Sequence, residues 1–158
     1  MSEGCLACEL MDGSLDLPGG VIYSSALWRV EHSVGPLGVG TLIVKPIRHC
    51  THLWELTTDE ITEMGPIIHS VATVIHQLLQ PDQVYSCLWS HAGWEPGHIH
   101  FVLQPVSNDD QAQYPHPGPF MQAKMFTENA PSDRQEVEKF AALARDELGH
   151  RLQGSGSD

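Results

Sequence analysis

Positive charge is scarce in this chain: eight Lys and Arg stand against twenty Asp and Glu, a formal net charge of −12 over 158 residues. A surface this acidic argues against a nucleic-acid backbone or an anionic membrane as partner, since both select basic patches. Long apolar runs are also missing; none approaches the roughly 20 residues that a membrane span requires. The opening Met1-Ser2-Glu3-Gly4-Cys5 has neither the basic stretch nor the apolar core of a secretory leader, so a cytoplasmic location is expected. There is no internal repeat. Residues 1–153 are expected to form one domain, with hydrophobic residues at 41% supplying a core, and 154–158 a flexible Gly/Ser tail.

Histidine is plentiful. There are ten, and several cluster, at positions 49 and 52 and at 91, 98 and 100. Clustered imidazoles bind metals or transfer protons more often than scattered ones do. Four cysteines accompany them, Cys5, Cys8, Cys50 and Cys87. Cys50 and Cys87 sit beside apolar residues and are expected to be buried small hydrophobes.

The pattern predicts an α+β fold, a five-stranded, mainly antiparallel sheet with two main helices. Ala26 to His32 and Thr41 to Val44 look like a hairpin across the turn Pro36-Leu37-Gly38. Thr57-Thr58-Asp59-Glu60 is a capping box, and Ile61, Met64, Ile68, Val71, Ile75 and Leu78 follow on one helical face. Pro66 predicts a kink or a late start. Val84 to Ser90 and His98 to Gln104 read as two more strands. Residues 105–131 are rich in proline and poor in periodic apolar residues, so an extended excursion is expected. Ser132 caps a last helix with Val137, Phe140, Leu143, Ala144 and Leu148 inward, and Gly149 closes it. The tryptophans are expected to be mostly core, and His32, His69, His76, His116 and His150 to be surface or capping residues.

Cys5-Leu6-Ala7-Cys8 places two thiolates within reach of one ion, and zinc takes about four N or S ligands in a tetrahedron. His49 and His98 are natural completions, with His52 as competitor. A thioredoxin-like redox pair is the weaker reading, because no βαβ unit surrounds the motif.

In Gly97-His98-Ile99-His100-Phe101-Val102-Leu103-Gln104 alternation puts His98, His100 and Val102 on one face, and Ile99, Phe101 and Leu103 on the other. Neutral imidazole is a competent nucleophile. This strand resembles the signature of the histidine triad superfamily, in which histidines alternate with apolar residues before a proline, here Pro105. Leu42-Ile43-Val44-Lys45-Pro46-Ile47-Arg48-His49 resembles the superfamily's apolar strand with its Pro and Arg-His, and Leu53-Trp54-Glu55-Leu56-Thr57 the opening of its long helix. Cys5-Leu6-Ala7-Cys8 stands where many bacterial members carry a cysteine pair.

The resemblance implies a nucleotide hydrolase or nucleotidyl transferase acting on the α-phosphorus of a purine nucleotide conjugate. His100 is then the nucleophile, forming a nucleotidyl-histidine, with His98 beside it. The third triad position is Val102, which offers no hydrogen bond. His91, in the preceding loop, is the candidate substitute. Ser33 stands where an acidic or amide residue commonly holds the ribose hydroxyls, and Gln104 lies on the same face as His100. Zinc-bearing relatives imply a structural zinc on Cys5, Cys8, His49 and His98. The resemblance also implies a homodimer. A degenerate nucleotide-binding protein and a zinc-stabilised interaction module are the alternatives.

Overall fold

The computed structural model describes residues 4–89 and 97–153. Five strands form one antiparallel sheet: β1 (Val21–Ser24), β2 (Trp28–His32), β3 (Leu42–Pro46), β4 (Gln83–Trp89) and β5 (His100–Val106), in the order β1-β2-β3-β5-β4. Helices α1 (Leu6–Asp12), α2 (Thr58–Leu79), α3 (Asn108–Gln113), α4 (Pro119–Glu128) and α5 (Arg134–Gln153) surround it. The expected α+β class and five-stranded sheet are observed.

Cross-strand register assigns the two faces. Val30, Val44 and Phe101 lie in one row, and Glu31, Ile43 and Val102 in the next. The first row turns toward the long helices. Trp28, Val30, Leu42, Val44 and Leu103 are buried there against Ile67, Val71, Val74 and Ile75 of α2 and Phe140, Ala141, Ala144 and Leu148 of α5. Residues three and four apart on each helix supply this apolar stripe. The Thr57–Glu60 capping box is formed, and Glu60 also pairs with Arg48 at 2.9 Å.

The second row belongs to the face that carries His100. A smaller apolar cluster covers part of it: Leu37, Val102, Val106, Tyr114, Met121 and Met125. Met121 and Met125 come from α4, so α4 lies across β5 on the histidine side of the sheet.

Several local expectations are corrected. Residues 105–131 are not an extended excursion; they hold the end of β5, α3 and α4. Ser107 caps α3, and Pro119 opens α4 at its first turn, where a proline loses no helical hydrogen bond. Helix α2 starts at Thr58 and runs through Pro66, so there is no late start; Pro66 is exposed, and the carbonyl it leaves unpaired is on the outer side. Ile61 is exposed, while Ile67 and Val74 complete the buried face. Asp133, not Ser132, accepts the first amides of α5, from Gln135 and Glu136. That helix continues past Gly149, and its Leu143 points outward. His32 is buried, its Nε2 accepting from the Gly40 amide at 2.9 Å. Trp54 is 81% exposed and stacks on His52, unlike the core tryptophan Trp28, and Cys87 is only half-buried. No helix among the described residues is long and apolar enough to cross a membrane.

Candidate active site and metal centre

The first half-turn of α1, the segment after β3 and the approach to β5 converge on one point. Cys5, Cys8, His49 and His98 each bring one ligand atom there, all within 4.8 Å of one another. Cys8 Sγ lies 3.4 Å from His49 Nδ1 and 3.7 Å from His98 Nδ1, and Cys5 Sγ lies 3.8 Å from His98 Nδ1. Metal–ligand bonds of about 2.3 Å to sulfur and about 2.0–2.1 Å to nitrogen give tetrahedral edges of about 3.3–3.8 Å. The donor set and its spacing therefore fit a tetrahedral ion. His52 takes no part; its Nδ1 is 2.7 Å from Thr51 Oγ1 and 3.3 Å from Glu55.

His98 joins this cluster to the strand. Its Nε2 donates to the Pro46 carbonyl at 3.0 Å, which turns the Nδ1 lone pair toward the thiols. Burial is the largest influence on its acidity; with His49, Lys45 and His100 nearby it is pushed down to about 4, so the ring is neutral at physiological pH. Burial also raises the Cys5 thiol above its ordinary value. A buried thiol held this way ionises when a cation is present to take it.

His100 begins β5, two residues on. Its Nδ1 donates to the His98 carbonyl at 2.9 Å, which places the remaining lone pair on Nε2. The ring is half-buried, 6.1 Å from Trp89 across the strand pair, and Trp89 is 5.2 Å from Phe126 of α4. Phe126 in turn lies beside Gly35, whose amide donates to the Ser33 hydroxyl at 3.1 Å.

Two flanks of the histidine face differ sharply. On β2 and β3, Lys45 and Glu31 form a buried ion pair, 1% and 2% exposed. Lys45 Nζ also donates to the Ala7 carbonyl, and Arg29 Nη1 to the Met11 carbonyl, so basic side chains fasten α1 onto the sheet. Burial drives the pair toward neutrality, raising Glu31 and lowering Lys45, against their mutual attraction. Toward β4 the face is apolar. Val102 is 1% exposed under α4. Gln104 is buried too, its Nε2 donating to the Leu37 carbonyl at 3.2 Å and approaching Met125 Sδ at 3.0 Å.

Thus Cys5, Cys8, His49 and His98 meet, with His100 next to them. Ser33 follows β2, its hydroxyl bonded to the amide of Gly35, which Phe126 touches, and Gln104 lies beneath α4 rather than in an open cleft. His91 lies outside the described residues, as does Trp94. Sequence reasoning missed Lys45, Glu31 and Arg29. Charged residues inside short apolar strands, two of them of opposite sign on facing strands, were the available signal.

The fold and this site define an α+β protein with four potential metal ligands gathered beside a strand-borne histidine. No family model and no curated protein matches the chain. Solved structures do. A "Hit-like protein involved in cell-cycle regulation" from Bartonella henselae is 13% identical, with a TM-score of 0.70 over 93% of this chain and 98% of that one. A Zn-bound histidine triad family protein from Mycobacterium smegmatis is 18% identical, with a TM-score of 0.67 over 96% and 97%. A hypothetical histidine triad nucleotide-binding protein from Sulfolobus tokodaii is 17% identical, with the same TM-score and coverages. The chain has the histidine triad fold.

Proposed function

We propose that the protein is a nucleotide hydrolase or nucleotidyl transferase that works through His100 on a purine nucleotide conjugate, a dinucleoside polyphosphate or a nucleoside phosphoramidate. One observation carries this reading: the 2.9 Å bond from His100 Nδ1 to the His98 carbonyl, which holds the ring and directs its Nε2 lone pair away from the strand. Nε2 attacks the α-phosphorus, a P–N bond forms, and the bond from phosphorus to the leaving group breaks. The leaving group departs with a proton, for which His91 is the candidate donor. Water then attacks the same phosphorus, the P–N bond breaks, and the nucleoside monophosphate leaves while the imidazole is restored. With a different acceptor in place of water the same intermediate gives transfer.

His98 is a positioning residue in this scheme, since its carbonyl orients the nucleophile. Ser33 and Gln104 are the proposed nucleotide contacts; Gln104 meets a ligand only when α4 is displaced. Cys5, Cys8, His49 and His98 would hold one zinc, a metal borne by the Mycobacterium smegmatis neighbour. Four protein ligands leave no open coordination position, so zinc there supplies cross-linking rather than Lewis acidity. The outer strands β1 and β4 end the sheet, and one of them is expected to meet a second subunit in a homodimer. A cytoplasmic location is expected.

The test is hydrolysis of adenosine 5′-phosphoramidate and diadenosine tetraphosphate by wild type and His100→Asn. Loss of several orders of magnitude in the variant, with the fold intact, supports the reading. Equal rates overturn it. A second reading, nucleotide binding without turnover, is favoured by Val102, which is buried among Leu37, Tyr114, Met121 and Met125 and offers a phosphate no donor. Retention of nucleotide without hydrolysis by wild type would establish it.

A further inference from the structure

Helix α4 is attached to the molecule in an unusual way. It is ten residues long, and only Met121, Gln122 and Met125 are buried. A free helix of that length is marginal in water, so its order depends on its seat. The seat is partly polar. The Gln122 side chain is 2% exposed, its Oε1 accepting from Trp89 Nε1 at 3.2 Å and its Nε2 donating to Gln104 Oε1 at 3.2 Å. Gln104 passes the connection to the Leu37 carbonyl. Amide pairs of this kind contribute modestly to stability, because water takes their place on separation. A wholly apolar seat would resist separation far more.

The N-terminal approach to α4 suits movement. Gly118 precedes it with φ +65° and ψ −132°, a conformation that side chains disfavour, and Pro115 and Pro117 stiffen the approach. At the far end Asn129 is extended, and its side chain accepts from Tyr114 Oη at 2.6 Å, which makes that end the hinge that stays attached. The outward ring of the helix, Phe126, is 43% exposed but presses on the rim of the histidine face. A Cβ added at Gly35 would stand 3.0 Å from the Phe126 ring. Phe126 also touches the aromatic neighbour of His100, Trp89.

From these observations we infer that α4 is a lid, and that in the closed state described here Phe126 plugs the rim at Ser33 and Gly35, which a nucleotide must displace to reach His100. The inference deepens the nucleotide reading above and rests on it. It predicts that the protein opens at α4 far more often than it unfolds. A nucleotide competes with Phe126 and holds the lid open. Gly35→Ala weakens the plug from the sheet side, at a position whose backbone conformation accepts a side chain and where only the end of the Phe126 ring must shift. Phe126→Ala removes the plug from the lid side.

Native-state hydrogen exchange and calorimetric binding of adenosine 5′-monophosphate, on wild type, Gly35→Ala and Phe126→Ala, test this together. Amides of residues 120–128 are expected to exchange at least tenfold faster than those of β5 and α2, faster still in both variants, and faster again with the monophosphate. Affinity should rise at least threefold in the variants. Exchange of α4 only through global unfolding overturns the lid, whatever binds. So does a monophosphate that protects α4, because α4 would then be a closing wall and not a plug. If α4 opens as expected but none of the three proteins binds the monophosphate, the nucleotide reading falls, and the plug falls with the ligand it excludes.

Discussion

The two flanks of the histidine face are held by opposite means. On the β2–β3 side, thiols, imidazoles and a buried Lys45–Glu31 pair fasten α1, with bonds that are directional and charged. On the β4 side, two methionines and a short amide chain hold α4. His100 lies between them, its ring held by the His98 carbonyl and 6.1 Å from Trp89. The difference teaches that one sheet face can seat one helix through directional, charged bonds and another through a few methionines and an amide chain. The charged flank tolerates little loss, since a buried charge without its partner is costly. The α4 flank can separate locally, because part of its seat is an amide chain whose bonds water can replace.

The largest expected effect tests the charged flank. Lys45→Ala strands Glu31 below α1, and urea denaturation should show a loss of about 3–5 kcal/mol. A loss under about 1 kcal/mol would mean that the two flanks do not differ as described. Removal of metal comes next. Zinc at a thousandfold over its dissociation constant stabilises the fold by about 4 kcal/mol, and chelation should remove that contribution from the melting curve. Cys8→Ser should bind no zinc and show no response to chelator. A metal content near zero in wild type purified without chelator would contradict the assignment.

Acid should act on the same flank in the metal-free protein. The folded-state pKa of His98, about 4, lies below its ordinary 6.5. The unfolded chain therefore takes up the proton first, and the contribution of His98 is complete above pH 6.5. It is lost as pH falls through that window toward 4, by about 3 kcal/mol in all. Stability measured across pH 7.5 to 4.5 should show the slope, and His98→Gln should reduce it. The smallest effect belongs to the α4 flank. Met121→Ala should cost about 1 kcal/mol of global stability, below the roughly 2–5 kcal/mol usual for a buried methionine, because a unit that opens by itself limits the loss. The full ordinary cost would show α4 to be part of the cooperative core.

The thiols and imidazoles of the first flank were far more legible in the sequence than the α4 flank, whereas the charged residues of that first flank, Lys45, Glu31 and Arg29, were missed. Cys5 and Cys8 pair at a spacing that metal chemistry recognises, and His49 and His98 were the ligands to look for. The sheet was legible in the alternation of β2 and β5, in the short apolar run of β3 and in β4, although β5 begins at His100 and not at the expected His98. The four residues of β1 are too few to make a pattern. In α2 the capping box fixed the start, but Ile61, just after it, misled about the buried face, which tertiary packing sets at Ile67, Val71 and Val74. Helix α4 was invisible for a physical reason. Its prolines precede or open it instead of interrupting it, and its seat uses Gln122 where periodicity looks for an apolar residue. The burial of His32 depends on the Gly40 amide eight residues away, which no local pattern announces.

The central claim is that His100 forms a covalent bond to phosphorus. The direct measurement is intact mass after rapid quenching of wild type with adenosine 5′-phosphoramidate, followed by peptide mapping. The account predicts a species heavier by one adenylyl group, carried by the peptide that contains His100 and absent from His100→Asn. Turnover by wild type with no such adduct at the earliest quench times, or an adduct that persists in His100→Asn, would contradict it.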